Sequence, residues 1–90
     1  MKIKLKIIVK GDVQGVFFRA HAKKYAENLS ITGYAKNLIN GDVEIIALGE
    51  KVKLEEFLEK IKKDPGYGRI DKIETFFSEV DKNFEDFKIF

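Results

Sequence analysis

Apolar and charged residues alternate along the beginning of this chain, with one break at Ile8. The apolar positions are Ile3, Leu5, Ile7 and Val9. Lysines stand between them from Lys2 to Lys6, and Lys10 follows. Successive side chains of a strand point to opposite faces. The pattern therefore predicts a β-strand with one face against a core and a lysine-rich face toward water.

Two later stretches carry apolar residues at helical spacing. The first begins at Phe18 and runs to about Asn28 or Leu29, and the second covers about Lys51 to Lys63. Their apolar faces are formed by Phe18, Ala22, Tyr25, Ala26 and Leu29 and by Leu54, Phe57, Leu58 and Ile61. Asp64-Pro65-Gly66 ends the second helix. Each helix presents one apolar stripe, so each is expected to pack on a sheet.

The remaining stretches are typical of strands. Strands are predicted from Thr32 to Ile39, from Asp42 to Leu48 and from Ile70 to about Phe77, and Asn40-Gly41 predicts a tight type I′ hairpin turn. A polar turn at 80–84 precedes a short terminal strand around Phe87 and Ile89, with Phe84 nearby. The order β-α-β-β-α-β predicts an α+β fold, the ferredoxin-like split βαβ sandwich. Its antiparallel sheet would carry both helices on one face, with the short strand added.

Composition narrows the class of protein. Ninety residues with 44% hydrophobic content suffice for one domain over residues 1–90. The absence of cysteine excludes disulfides, a thiolate nucleophile and a Cys-based metal site. A net charge of +2 is too mild for nucleic-acid binding, which needs a clustered basic face. No apolar run is long enough for a membrane span, and the alternating start is unlike a signal peptide. We therefore expect a cytoplasmic monomer, and high Lys and Glu content is compatible with a thermophilic source.

The loop between the first strand and the first helix holds the most distinctive residues. Its sequence from Gly11 to Arg19 contains no Ser, Thr or Asn where a helix N-cap normally stands, and Asp12 lies several residues too early. The first helical N–H groups are then left without partners and attract an anion. Arg19 adds a guanidinium at the edge of the same pocket. This predicts a phosphate cradle, although an ordinary loop with hydrated amides remains the alternative for a short glycine pattern.

Other polar residues allow more than one interpretation. Asn37 shares a strand face with two small residues, and it either bonds to a neighbouring backbone at a sheet edge or is positioned in a site. His21 is the only histidine and lies about 200° from Arg19 around the helix axis, so we interpret it as a helix-flank side chain. Arg69 is interpreted as a surface or edge residue. Asp12 is expected to point to solvent, because a carboxylate would repel phosphate.

Taken together, the motifs resemble those of the acylphosphatase family. The first motif is Val9-x-Gly11-x-Val13-Gln14-Gly15-Val16-x-Phe18-Arg19. The second is Gly33-Tyr34-Ala35-Lys36-Asn37, followed by Gly41-x-Val43 and Gly49. The closing Asp86-Phe87-x-Ile89 also resembles family members. The similarity spans the whole chain, and no motif position departs from the family pattern.

This resemblance implies hydrolysis of acyl phosphates to a carboxylate and inorganic phosphate, without metal or cofactor. It implies that Arg19 and Asn37 are the catalytic pair, with Asn37 orienting the attacking water. The implied phosphate-binding loop consists of Gln14, Gly15, Val16, Phe17, Phe18 and Arg19. The partners would be a small-molecule acyl phosphate and inorganic phosphate.

Three alternatives share this fold class. An RNA-binding module would need aromatic side chains on the open sheet face, and the third predicted strand has none. A metal carrier would need a Cys-x-x-Cys loop, which is absent. An acylphosphatase-like domain can also serve binding or assembly, as in larger carbamoyl-transfer proteins. The presence of both Arg19 and Asn37 favours the hydrolase.

Overall fold

The computed structural model describes residues 1–90 as five strands and two helices. The elements in chain order are β1 (Ile3–Asp12), α1 (Phe18–Asn28), β2 (Thr32–Asn37), β3 (Val43–Gly49), α2 (Lys51–Lys63), β4 (Arg69–Ser78) and β5 (Phe87–Ile89). The predicted order of elements and the predicted bounds of both helices are confirmed. Neither helix is long and apolar enough to cross a membrane.

The strands form one sheet in the order β4-β1-β3-β2-β5. All neighbours are antiparallel except β5, which runs parallel to β2 from the pair Gly33–Phe87 to the pair Ala35–Ile89. The ferredoxin-like α+β class is confirmed: β4, β1, β3 and β2 form the predicted antiparallel sheet, and the predicted short terminal strand, β5, is added to it in parallel. The parallel direction of β5 follows from the position of the preceding strand. The last residues of β4 and the first residues of β2 lie at the same end of the sheet. The chain that crosses to the far edge must then enter alongside β2 in the same direction.

One hydrophobic core lies between the sheet and the helices. The inward residues of β1 are Leu5, Ile7 and Val9, as the alternation predicts, and all three are fully buried. They belong to the same cluster as the buried residues of the helices, Phe18, Ala22, Ala26, Leu54, Phe57 and Ile61. Full burial of one large apolar side chain contributes about 1.5–3 kcal/mol. The helical stripes therefore hold α1 against the sheet and fix where its N-terminus lies.

The connection between β2 and β3 differs from the predicted tight turn. β2 ends at Asn37 and not at Ile39, so the connection spans Leu38 to Asp42. Of Asn40 and Gly41 only the glycine has a positive φ, of 98°, which rules out a type I′ turn. The Asn40 side chain instead accepts the Asp42 N–H at 3.0 Å. An asparagine that bonds two residues ahead favours this wider loop.

Candidate active site

The β1–α1 loop presents a helix start without a cap, as predicted. The N-cap residue is Phe17, in a left-handed conformation with φ 62°, and no side chain caps the helix. Gly15 is also left-handed, with φ 73°. No backbone N–H from residue 14 to residue 20 donates to a protein acceptor. Turns that contain left-handed residues form anion-binding concavities, so the loop has the backbone features of an anion site.

The side chain of His21 contacts Phe17, the left-handed non-glycine residue of this loop. Its Nδ1 lies 2.9 Å from the Phe17 carbonyl oxygen, and because a carbonyl only accepts, Nδ1 carries the proton. The His21 ring also packs against the turn after α2, where a Cβ on Gly66 would lie 2.5 Å from the ring. A left-handed non-glycine residue costs about 1–2 kcal/mol, and these contacts help to maintain it. His21 is thus more than the flank side chain that its spacing indicates.

A cavity of about 230 Å³ opens between this loop, the first turn of α1 and β5. Its lining residues are Val13, Gly15, Phe17, Phe18, Arg19, Ala20 and Ile89. The volume is below the roughly 300–1,000 Å³ of pockets for drug-sized ligands, which suits a small group. Ile89 reaches the cavity from the far end of the chain, so β5 completes a wall that the loop begins.

Arg19 lies in the first turn of α1 and lines this cavity. Its Nη1 donates to the carbonyl oxygen of Phe90, and the Phe90 N–H donates to the Ala35 carbonyl oxygen at 2.9 Å. Arginine has five N–H donors, so this bond leaves others for an anion. The guanidinium is therefore anchored to the side of the sheet that carries Asn37.

Arg69 and Asp12 form an exposed ion pair away from the cavity lining. Arg69 Nη1 lies 3.2 Å from Asp12 Oδ2, and both side chains are 68% exposed. Arg69 Nε also donates to Asp71 Oδ1 at 3.1 Å. These contacts agree with the interpretation of Arg69 as a surface residue and with the expectation that Asp12 points to solvent.

Asn37 ends β2, with its Cα opposite that of Val43. Its Oδ1 is buried without a hydrogen-bond partner in the protein. An unmade bond of this kind costs about 1–3 kcal/mol. This oxygen therefore does not bond to neighbouring backbone. β5 pairs with β2 only from Gly33 to Ala35, so Asn37 lies beyond that pairing. Asn37 does not line the cavity. It lies two residues after Ala35, whose carbonyl oxygen accepts the Phe90 N–H.

The Gln14 side chain spans from the loop to the β2–β3 connection. Its Nε2 donates to the carbonyl oxygens of Leu38 and Asp42, each at 2.8 Å. The resemblance implies a role for Gln14 only within the phosphate-binding loop, and the sequence does not predict these two hydrogen bonds. No spacing rule would have found it, because both acceptors are backbone atoms more than 20 residues away.

The lysines of β1 have acidic partners on the open face of the sheet and its rim. The pairs are Lys4–Asp81 at 3.3 Å, Lys6–Glu44 at 3.8 Å and Lys10–Asp42 at 2.7 Å. The hydrogen bond to Asp42 raises the pKa of Lys10. Paired in this way, the lysines do not make the uncompensated basic stripe that nucleic acid favours. The structure also has no group of three or more His, Cys, Asp or Glu side chains placed to hold a metal ion.

The comparisons with known sequences identify one protein family. The family model described as Acylphosphatase matches residues 5–89 of this chain. A relative from Dehalococcoides mccartyi (strain CBDB1), named acylphosphatase, is 43% identical over 86 residues, covering 94% of each chain.

Solved structures of known proteins share the fold of this chain. The crystal structure of acylphosphatase from Bacillus subtilis superposes with a TM-score of 0.93 at 32% identity, over 98% of each chain. Full-length HypF in its phosphate- and nucleotide-bound form gives a TM-score of 0.89 at 29% identity. That match covers 100% of this chain but 12% of HypF, so the same fold occurs as a small part of a much larger protein.

Proposed function

Because this chain belongs to the acylphosphatase family, we propose that it hydrolyses the carboxyl–phosphate bond of acyl phosphates without a metal ion. The observation that carries the proposal is the uncapped β1–α1 loop: its amides have no protein acceptor, and its residues Gly15 and Phe17 line one small cavity together with Arg19. The products would be a carboxylate and inorganic phosphate.

The loop and Arg19 are proposed to bind the phosphate. The amides of residues 14–19 have no protein acceptor, and the positive end of the α1 dipole favours an anion beside them. Arg19 supplies a planar pair of donors that fits two phosphate oxygens, which a lysine cannot match. The cradle residues are those of the family motif: Gln14, Gly15, Val16, Phe17, Phe18 and Arg19.

Asn37 is proposed to orient the attacking water. Its buried Oδ1 lacks a partner in the protein, so it can accept a hydrogen bond from water. An amide does not titrate and is no base. The water oxygen attacks phosphorus, the bond from phosphorus to the acyl oxygen breaks, and the carboxylate leaves. The proton of the water passes to a phosphate oxygen of the substrate.

This reaction asks little of a general acid. The leaving carboxylate has a pKa near 4 in its free form, so it departs without protonation. Phosphoryl transfer then depends mainly on positioning and on stabilisation of charge. A half-buried arginine and a row of open amides supply both.

Several further expectations belong to the same proposal. Residues 1–90 would act as one domain and as a cytoplasmic monomer, with no cofactor and no nucleic-acid or membrane partner. A thermophilic source remains a prediction that rests on composition.

The proposal is tested by one set of assays on the purified protein. Hydrolysis of a simple acyl phosphate is compared with that of a phosphate monoester, each with and without a chelator. We expect turnover of the acyl phosphate only, unchanged by chelator and inhibited by inorganic phosphate. Chelator-sensitive turnover would overturn metal independence. Phosphate binding without any turnover would instead indicate a binding module.

A further inference from the structure

We propose that the side chain of Gln14 is a positioning residue that holds Asn37 and the phosphate cradle in one arrangement. The inference rests on the proposed function and extends it, because it assigns a separate role to a side chain whose loop binds phosphate through its backbone. Gln14 is the only glutamine of the chain.

The carboxamide of Gln14 is fully committed as a donor. Its nitrogen carries two hydrogens, and the two acceptors are the carbonyl oxygens of Leu38 and Asp42, each at 2.8 Å. These two residues are the first and the last of the β2–β3 connection, and the Leu38 N–H donates to the Asp42 carbonyl oxygen at 2.8 Å. The Gln14 side chain therefore bridges the two ends of the connection.

This contact lies immediately beside Asn37. The Asn37 Oδ1 makes no hydrogen bond in the protein, so the position of that oxygen depends on its backbone. Leu38, the next residue, is held on one side by its bond to Asp42 and on the other by Gln14. Gln14 in turn precedes Gly15, which lines the cavity. One side chain thus sets the distance between the proposed water site and the proposed phosphate site.

The other contacts of the β2–β3 connection do not reach the loop. Lys10 binds the Asp42 carboxylate at 2.7 Å, and Asn40 donates to the same oxygen at 3.2 Å. Both contacts involve the Asp42 side chain, whereas Gln14 binds its carbonyl oxygen. Lys10 therefore offers a control that loosens the connection and leaves the link to the cradle intact.

The first test replaces Gln14 with Met, which has similar length and no donor. Since a misplacement of about 1 Å can cost on the order of 10²-fold in rate, we expect kcat to fall by about 10- to 100-fold. Inhibition by inorganic phosphate should change little, because the cradle amides remain. Lys10→Met should keep a kcat close to that of the wild type. An unchanged kcat in Gln14→Met, or an equal loss in Lys10→Met, would overturn the proposal.

Gln14→Glu makes the donor at this position depend on pH. An ionised glutamate would face two carbonyl oxygens without a donor, which raises the pKa of its carboxyl above the usual value of about 4.3. Its protonated form restores one donor. We therefore expect kcat of this variant, relative to the wild type, to rise as the pH falls through that pKa. A ratio that is independent of pH would count against the role of the donor.

A readout without turnover separates this proposal from the proposed function. The side-chain amide resonance of Asn37 is compared by ¹⁵N NMR between the wild type, Gln14→Met and Lys10→Met. A shifted or broadened Asn37 signal only in Gln14→Met supports the positioning role, even if the wild type hydrolyses no acyl phosphate. An unchanged signal in Gln14→Met overturns it, whatever the activity assays show.

Discussion

Arg19 and Arg69 are the only arginines in a chain of fifteen lysines, and their surroundings differ. Arg19 lines the cavity and binds the Phe90 carbonyl oxygen. Arg69 is exposed and is occupied by two aspartates. Only the first has donors free beside the open amides of the loop, so residue type alone does not distinguish the two arginines but their contacts do.

Replacement of Arg19 by Lys should lower kcat for acyl phosphate by at least about 10²–10³-fold, as the loss of one preorganised donor does. Lysine keeps the charge and loses the planar fork. Steady-state kinetics measure the effect, and Arg69→Lys is the matched control, expected to turn over like the wild type. Near-normal turnover in Arg19→Lys would remove Arg19 from its proposed role.

Asn37→Ala should abolish most turnover while inorganic phosphate still binds, because the water loses its acceptor and the cradle remains. Kinetics and phosphate titration measure the two properties separately. Thr32→Val is a sharp control: Thr32 Oγ1 is the other buried side-chain atom without a partner, on the same strand. Its replacement should leave kcat unchanged. Collapse of phosphate affinity in Asn37→Ala would make Asn37 a binding or structural residue.

At the scale of elements, Tyr34 ties β2 to β3 on the open face of the sheet. Its hydroxyl donates to Glu44 Oε1 at 2.9 Å. Tyr34 is paired with Ile46 and Lys36 with Glu44, so the bond runs diagonally across the two strands, at a distance that long side chains span. Burial, and then the hydrogen bond to Glu44, raise the pKa of Tyr34 from 10.0 to about 12.

This raised pKa predicts how the stability of the strand pair depends on pH. Below pH 10 the tyrosine is protonated in the folded and the unfolded chain, and its full contribution is present. Between pH 10 and about 12 the unfolded chain loses its proton first, so the contribution is lost as the pH rises. The difference in free energy of unfolding between wild type and Tyr34→Phe should shrink over that range. Urea denaturation measures it, and a constant difference would contradict the prediction.

At the scale of the whole molecule, the last strand closes the core as well as the site. Phe87 of β5 and Phe57 of α2 are both fully buried, and their rings meet edge to face with centroids 6.2 Å apart. Two residues after Phe87, Ile89 lines the cavity. The terminal strand therefore couples packing in the centre of the molecule to the wall of the candidate site.

Phe57→Ala should lower the free energy of unfolding by about 3–5 kcal/mol, since it leaves a cavity in a closed core. Phe57→Leu fills most of that volume and should lose clearly less. Val52, 70% exposed on the same helix, gives the control Val52→Ala, expected within about 0.5 kcal/mol of the wild type. Denaturant unfolding followed by circular dichroism gives all three values. Similar losses in Phe57→Ala and Val52→Ala would mean that Phe57 is not a core residue of the folded protein.

Features that depend on near neighbours in the chain are predictable from the amino-acid sequence alone. Alternation from Ile3 to Val9, broken only at Ile8, places one face of β1 in the core, and helical spacing predicts α1 and α2 with bounds close to those observed. The uncapped loop follows from the absence of a short polar residue before Phe18. These features are predictable because backbone period and capping are local properties of the chain.

Contacts between distant parts of the chain become apparent only in the folded molecule. The parallel placement of β5, the bond from Arg19 to Phe90 and the hold of His21 on Phe17 against Gly66 involve surfaces that only the packed elements create. The two bonds of Gln14 are of the same kind. Most of these contacts end on backbone atoms, which every residue type offers alike. A sequence pattern identifies a side chain and its period, but the acceptor that it finds depends on how strands and helices pack.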